Sequence, residues 1–326
     1  MTGAPDFSVV IPTFNRLTAL KEVLEALDVQ EGLRFEVLVV NDGSSDGTTA
    51  WLDRRVAERR DASPALRVLH QQNTGPAVAR NRGVTAARGR WVAFLGDDTV
   101  PSPGWLAAHH RVQNGDLARS VRAAGGCVGV IGRTDWHHRM RRTPFLDYIN
   151  EQGLQFGFAL IEDEDNVPFN FFYTSNLSVD RDAMAAEPFD PAFPFAAWED
   201  VEAGYRLAAR GLRLLYRPAA HVAHDHPTDL ARFAERQYRS GYSAVVFYRR
   251  HEQLGHFLGM QNGRPPSAAG AGERTLLWAQ ERLARALQGM PVRLPRLWEK
   301  TMRHHYLEGL RNGWSDGVGL DRGGRS

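Results

Sequence analysis

The residues of this 326-residue chain with the clearest chemical potential are acids placed side by side. Asp97 and Asp98 follow the apolar run 91–95 and precede Thr99. Two adjacent carboxylates at the end of a buried strand repel one another where solvent screening is weak. A divalent cation removes that cost, and carboxylate oxygens suit Mg²⁺ or Mn²⁺; a solvated, helix-capping turn is the plainer alternative. Glu199 and Asp200 form a second pair, after Trp198, at the start of an expected helix, where the macrodipole favours negative charge. On those residues alone, capping accounts for them. His221, His224 and His226 follow another strand, so that one imidazole could reach a metal or all three could be surface histidines near Asp225. In the run 41–48, Asp46 or Thr48 could cap the next helix and leave amides open to an anion. Arg80 lies in a helix that starts after Gly75, where a guanidinium can clamp a phosphate or a base edge. Arg232, Arg236 and Arg239 recur at helical spacing, either to neutralise a diphosphate or to solvate a helix face.

These groups need a frame. Apolar runs predict strands over 7–11, 35–40, 66–69 and 91–95. Between them lie a helix with Leu17, Leu20, Leu24 and Leu27 on one face, and helices over 48–60 and 76–88, the last with Pro76 at its start. The alternation predicts an α/β fold, a doubly wound and mostly parallel sheet flanked by helices. In such sheets ligands bind beyond the carboxyl ends of the strands. Pro12-Thr13, Asn41-Asp42-Gly43 and Gly96-Asp97-Asp98 all stand at such ends. Strands are expected over 128–134, 176–179 and 212–216, with a helix over 199–210 closed by Gly211. Residues 139–166 are charged and show no clear period. After Pro227 the pattern turns helical, over 230–254, 273–287 and 297–310, and 313–326 reads as a disordered, Gly-rich tail.

Composition excludes several classes. The chain is 43% hydrophobic, enough for a sizeable core, and its formal net charge of +2 gives no global field for nucleic acid. A single cysteine, Cys127, in an apolar, Gly-rich run rules out an intramolecular disulfide and reads as a buried structural thiol. No stretch approaches the roughly 20 apolar residues that span a bilayer, and the start of the chain lacks a signal-peptide pattern. Abundant Arg and Ala against few Lys suggest a bacterial coding sequence. A reducing cytoplasm is the expected compartment.

Taken together, the motifs resemble glycosyltransferase family 2, whose members have the GT-A fold. The matching stretches are Val9-Val10-Ile11-Pro12-Thr13-Phe14-Asn15-Arg16, the run from Val39 to Thr48, Asn73-Thr74-Gly75-Pro76-Ala77-Val78-Ala79-Arg80-Asn81, Gly96-Asp97-Asp98 and Glu199-Asp200. They cover about residues 6–226. The resemblance implies an inverting, hexosyltransferase-type enzyme that uses Mn²⁺ or Mg²⁺ to move a sugar from a nucleotide-diphosphate donor, UDP-sugar favoured, to an acceptor hydroxyl in polysaccharide or glycoconjugate synthesis. Pro12, Thr13 and Asn15 would edge the nucleotide pocket; Asp42 would accept a hydrogen bond from the base; Arg80 would lie by base and phosphates, and Asp97 by the ribose. Asp98 and His224 would hold the metal. Asn176 and Trp198 would face donor or acceptor sugar, Asp200 would be the catalytic base beside Glu199, and Arg236 and Arg239 would meet the diphosphate. Gly96 and Thr99 stand where relatives often carry further acids, so metal ligands are expected from elsewhere.

The implied domains are a catalytic domain over 1–228, with a nucleotide-sugar half near 6–100 and an acceptor half near 101–228, and a helical extension over 229–312. The acceptor, a glycan, a lipid-linked sugar or a small molecule, is not named by any motif. The extension is expected to support a homodimer or a peripheral contact on the inner face of the membrane. Two rival readings are a sugar-phosphate nucleotidyltransferase, although 10–16 lacks the glycines of a phosphate loop, and a non-catalytic nucleotide-sugar scaffold.

Overall fold

In the computed structural model, which describes residues 4–59, 64–288 and 290–320, the first strands are sealed on both faces. β1 (Phe7–Thr13), β2 (Phe35–Asn41) and β4 (Trp91–Leu95) are almost wholly buried, and β3 (Ala65–His70) lies at the edge. Strands covered on both faces read as continuous apolar runs, as these do. α1 (Leu17–Asp28) turns Leu20, Val23, Leu24 and Leu27 into one core, and α2 (Thr48–Glu58) adds Leu52 to it. α3 (Pro76–Ala86) covers the opposite face with Ala77 and Val84.

One eight-stranded sheet results, in the order β3-β2-β1-β4-β7-β6-β8-β5. β1 to β4 are parallel. Beyond β4, β7 (Asn176–Asp180) runs antiparallel to both β4 and β6 (Cys127–Trp136), and the short β5 (Thr99–Pro101) antiparallel to β8 (Leu212–His224). The sheet is thus mostly parallel with two reversed strands. α4 (Trp105–Gln113) and α5 (Asp116–Ala123) follow β5, α7 (Arg181–Ala186) follows β7, and α8 (Glu199–Ala208) precedes β8. α4, α5 and β5 fall where no element was expected. β8 runs well past the expected end at residue 216 and carries His221 and His224 within the strand, not in a loop.

The chain divides into two compact units: residues 1–140, 158–190 and 200–226, which contain the sheet, and residues 141–157, 191–199 and 227–326, which are helical. In the helical unit α6 (Pro144–Glu151) lies inside the segment read as lacking a period, with Thr143 accepting from the Leu146 amide as its N-cap. Phe145 packs edge-on against Phe233 of α9 (Leu230–Arg250) and Trp298 of α11 (Pro295–Ser315). α10 (Ala271–Leu287) completes the set. α9 and α11 meet backbone to backbone. A Cβ added at Gly241 would fall 1.8 Å from the Tyr306 carbonyl oxygen, and one at Gly309 would fall 1.9 Å from that of Tyr238. The expected disordered tail is corrected in part: residues 313–315 belong to α11, and the Val318 carbonyl accepts from Arg249. Residues 321–326 lie outside the described residues.

Candidate active site

Four strand ends in the sheet unit carry the polar residues. At the end of β1, Asn15 takes a left-handed backbone (φ 54°), which asparagine tolerates better than most side chains. Its Oδ1 accepts from the Ser45 amide at 2.7 Å, and its own amide donates to Ser44 Oγ at 2.9 Å. The end of β1 is thereby tied to the loop after β2. Asp46 extends the tie: one oxygen accepts from the Leu17 amide at the start of α1, the other from Thr48 at the start of α2.

Asp42, at the end of β2, is buried. Its Oδ1 accepts from Gln71 Nε2 (2.8 Å) and the Thr74 amide (2.9 Å), and its Oδ2 from the Gly75 amide (2.9 Å). The carboxylate therefore holds the turn that opens α3, the helix on which Arg80 stands. The Arg80 guanidinium lies over the Phe189 ring, 5.7 Å from its centroid.

Asp97 and Asp98 follow β4, both buried. Burial pushes the Asp97 carboxyl up from its ordinary value, the adjacent Asp98 charge pushes the same way, and Arg16 only partly offsets them. For Asp98, burial also works upward, but His224, His226 and Arg16 outweigh it and hold the carboxyl well below the usual range. Pairing of β5 with β8 sets Thr99 opposite His224, and Asp225 donates its amide to the Asp98 carbonyl at 2.8 Å. Asp98, His224 and His226 each offer one ligand atom, all within 4.8 Å of one another. Trp136 stacks against His224, and His224 against His226, which fixes the imidazole planes.

Arg16 supplies the positive charge between these groups. One of its terminal nitrogens donates to Asp98 Oδ2 and lies 3.1 Å from His226 Nδ1. The same Nδ1 lies 3.2 Å from Asp98 Oδ2, so it faces the guanidinium and the carboxylate together. One carboxylate and two imidazoles thus gather their ligand atoms within 4.8 Å of one another, beside a cationic group. The donor set fits a divalent ion on that ground. His221 points elsewhere: its Nε2 lies 3.1 Å from Asp135 Oδ2, so His226, not His221, joins His224.

Asp200 is anchored on the same edge. Its Oδ2 accepts from the amide and hydroxyl of Thr174 at 3.2 and 3.3 Å, and its Oδ1 from the Val201 amide at 2.9 Å. The next residue, Ser175, accepts at its carbonyl from the Gly96 amide at 3.2 Å. Two consecutive residues therefore connect the Asp200 carboxylate with the turn that bears Asp97 and Asp98.

The profile of the family described as Glycosyl transferase family 2 matches residues 8–172, a span that contains the 13–16, 41–48, 73–81 and 96–98 motifs. The chain belongs to glycosyltransferase family 2. Within reach of this family 2 chain is the pre-mycofactocin glycosyltransferase of Mycobacterium tuberculosis, 30% identical over 249 residues, which cover 76% of this chain and 48% of that protein. The succinoglycan biosynthesis protein ExoO of Rhizobium meliloti is 42% identical over 132 residues, 40% of this chain and 36% of that one. The chain spans less than half the length of these curated relatives. Among solved structures, the mannosyltransferase PcManGT of Pyrobaculum calidifontis, in complex with GDP-Man and Mn²⁺, superposes with a TM-score of 0.61 at 18% identity, over 96% of this chain and 88% of that one. That likeness establishes the GT-A fold.

One residue expected to face a sugar is engaged elsewhere. Asn176 is a correction. It is buried, and its amide is saturated: Oδ1 accepts from Trp105 Nε1 (2.8 Å) and faces His109 Nε2 (3.1 Å), while Nδ2 donates to the Ala220 (2.8 Å) and Arg133 (3.1 Å) carbonyls. It fastens β7 to α4, β6 and β8 and offers nothing to a sugar. Trp198, Glu199, Arg236 and Arg239 fall in the helical unit. There Trp198, itself at φ 74°, donates Nε1 to the Ser240 carbonyl at 2.9 Å. Arg236 binds Gln155, and Arg239 pairs with Glu235 at 3.0 Å and covers Phe195. Pro12 and Thr13 stand at the β1 end as expected. Sequence reasoning missed Arg16 and Thr174, whose partners lie 82 and 26 residues away and leave no local signal. Cys127 is partly buried, where a buried thiol was expected, and burial, then Asp180, push its pKa up to about 11.

Proposed function

We propose that this family 2 protein is an inverting, metal-assisted glycosyltransferase that moves a sugar from a nucleotide-diphosphate donor to an acceptor hydroxyl. The observation that carries the reading is the grouping of Asp98, His224 and His226, whose ligand atoms lie within 4.8 Å of one another, on an edge to which Asp200 is also tied. The pre-mycofactocin relative, and the Mn²⁺ and GDP-Man bound by the archaeal mannosyltransferase, support the class.

Asp98, His224 and His226 would hold the ion, and two imidazoles in the donor set favour Mn²⁺ over the oxygen-preferring Mg²⁺. When bound, the cation supplies charge that stabilises the departing diphosphate. Asp42 and Arg80 would place the base and phosphates, with Pro12, Thr13, Asn15 and Asp97 along the nucleotide, and UDP is the favoured nucleotide. Asp200 would accept the proton of the acceptor hydroxyl as its oxygen bonds to the anomeric carbon and the bond to the diphosphate breaks. A single displacement of this kind inverts the anomeric centre. Glu199 would bind the acceptor or cap α8.

A thermal-shift screen of UDP-, GDP- and TDP-sugars, each with and without Mn²⁺, tests the proposal, because a ligand of the native state raises its melting temperature by mass action. A nucleotide-sugar shift that requires Mn²⁺ is expected. Shifts with nucleoside triphosphate and sugar phosphate, and none with nucleotide sugars, would move the chain to the nucleotidyltransferase class.

A further inference from the structure

His224 closes β8, and His226 lies two residues on, past the strand end. A short polar segment beyond a strand has many conformations of similar energy, so its own sequence does not hold two imidazoles beside Asp98. The hold comes from residues 136–139, at and just after the end of β6. Trp136 stacks on His224 with ring centroids 5.7 Å apart, and the His137 amide donates to the His224 carbonyl at 3.0 Å. His224 stacks in turn on His226 at 5.5 Å. The residue between the two histidines is tied twice. Asp225 donates its amide to the Asp98 carbonyl at 2.8 Å, and its Oδ2 pairs with a terminal nitrogen of Arg139 at 3.0 Å.

The same Arg139 nitrogen pairs with Glu22 Oε2. Glu22 belongs to α1, which Leu20, Val23, Leu24 and Leu27 anchor in the core. Its other oxygen lies 3.4 Å from Nε2 of the buried His137, whose Nδ1 accepts from the Arg139 amide at 3.3 Å. A turn closed by the Met140 amide on the His137 carbonyl, at 2.9 Å, fixes the backbone that carries Arg139. The contacts therefore run from a helix packed in the core, through one guanidinium, to the residue that separates the two imidazoles. The guanidinium is half exposed, and an ion pair so placed adds little to the stability of the fold. What it does is restrict the one segment it grips, and ligands ordered in advance need not be ordered when an ion binds.

We propose that Arg139, held by Glu22, is a positioning residue for the metal site, acting through Asp225 on the segment that bears His224 and His226. The inference rests on the metal-assisted reading of this site. Mn²⁺ affinity of the full chain, without donor, is read from the free-ion signal in electron paramagnetic resonance. Arg139→Gln removes a positive charge from the surroundings of the cation, so electrostatics alone would tighten binding. Loss of positioning weakens it, and the sign of the change separates the two. Weakening by about threefold or more is expected, at the low end for an outer-shell partner because the pair is exposed. The melting temperature of the metal-free variant should match that of the wild type. Arg139→Lys, which keeps the charge and one ion pair, should recover part of the affinity. Binding by Arg139→Gln that equals or exceeds that of the wild type overturns the proposal and leaves the metal reading standing. A wild-type chain that takes up no Mn²⁺ removes the metal reading, and the role of Arg139 with it.

Discussion

The guanidinium of Arg16 and the carboxylate of Asp98 form an ion pair between the end of β1 and the end of β4, with His226 on the same guanidinium nitrogen. Asp98 is also one of the three grouped metal-type donors, so Arg16 and a divalent ion would compete for its carboxylate. Arg16→Met should tighten Mn²⁺ binding in the absence of donor by roughly tenfold, since breaking a charge-assisted hydrogen bond of about 1.5 kcal/mol is no longer required. Isothermal titration with Mn²⁺ reads this directly. Equal or weaker binding would mean that Arg16 does not compete with the ion.

Asp200→Asn keeps the side-chain shape and one acceptor for Thr174 or Val201, and removes the proton acceptor. Transfer should slow by about 10²–10⁴-fold, the usual worth of a general base, with donor affinity unchanged. Glu199→Gln should cost less. Single-turnover assays with calorimetry on the donor separate the two effects, and an active Asp200 variant beside a dead Glu199 variant would reverse the roles.

Asp42→Ala should act twice. Its place in a strand-end loop predicts a larger loss of binding than of fold, and Asp42 also pins Thr74 and Gly75 at the start of α3. Nucleoside diphosphate affinity should fall by about 10–100-fold, the range of a lost charge-assisted hydrogen bond. The melting temperature should drop modestly as well. A full loss of binding with no thermal change would confine Asp42 to the ligand.

His109 gives the acid dependence a specific source. It lies fully buried between Asn176 and Ser178, and burial pushes its pKa down to about 4 from 6.5. Between these values the unfolded chain binds a proton that the folded chain refuses, so stability falls as pH drops from about 6.5 to about 4, by up to roughly 3 kcal/mol. Above that window the group contributes no slope. His109→Gln should flatten the melting-temperature profile across it, and an identical acid slope in both proteins would place the sensitivity elsewhere.

β1, β2 and β4 were legible because they are buried on both faces and each ends abruptly in polar residues. The aspartates could be placed at strand ends for the same reason. What escaped was set by distant partners. Arg217 and Pro218 look like the end of β8, yet the strand continues through a register shift against β6 and delivers His224 opposite Thr99. Asn176 looks like a ligand-facing amide in a polar motif. Only its neighbours, contributed by α4, β6 and β8, show that every hydrogen bond is already taken. Arg16 sits in a matched motif, but its use depends on a carboxylate 82 residues on.

The crossing of α9 and α11 has a consequence for the timing of local opening. Glycine inside a helix lowers its intrinsic helicity by about 1 kcal/mol relative to alanine, so each helix alone would fray near Gly241 or Gly309. Together they leave no room between their backbones for even a methyl group, and amides at the crossing can exchange with solvent only when both helices part. The weakest helical residues in isolation should therefore be among the slowest to take up deuterium in the helical unit, and the amides of the scarcely buried α10 among the fastest.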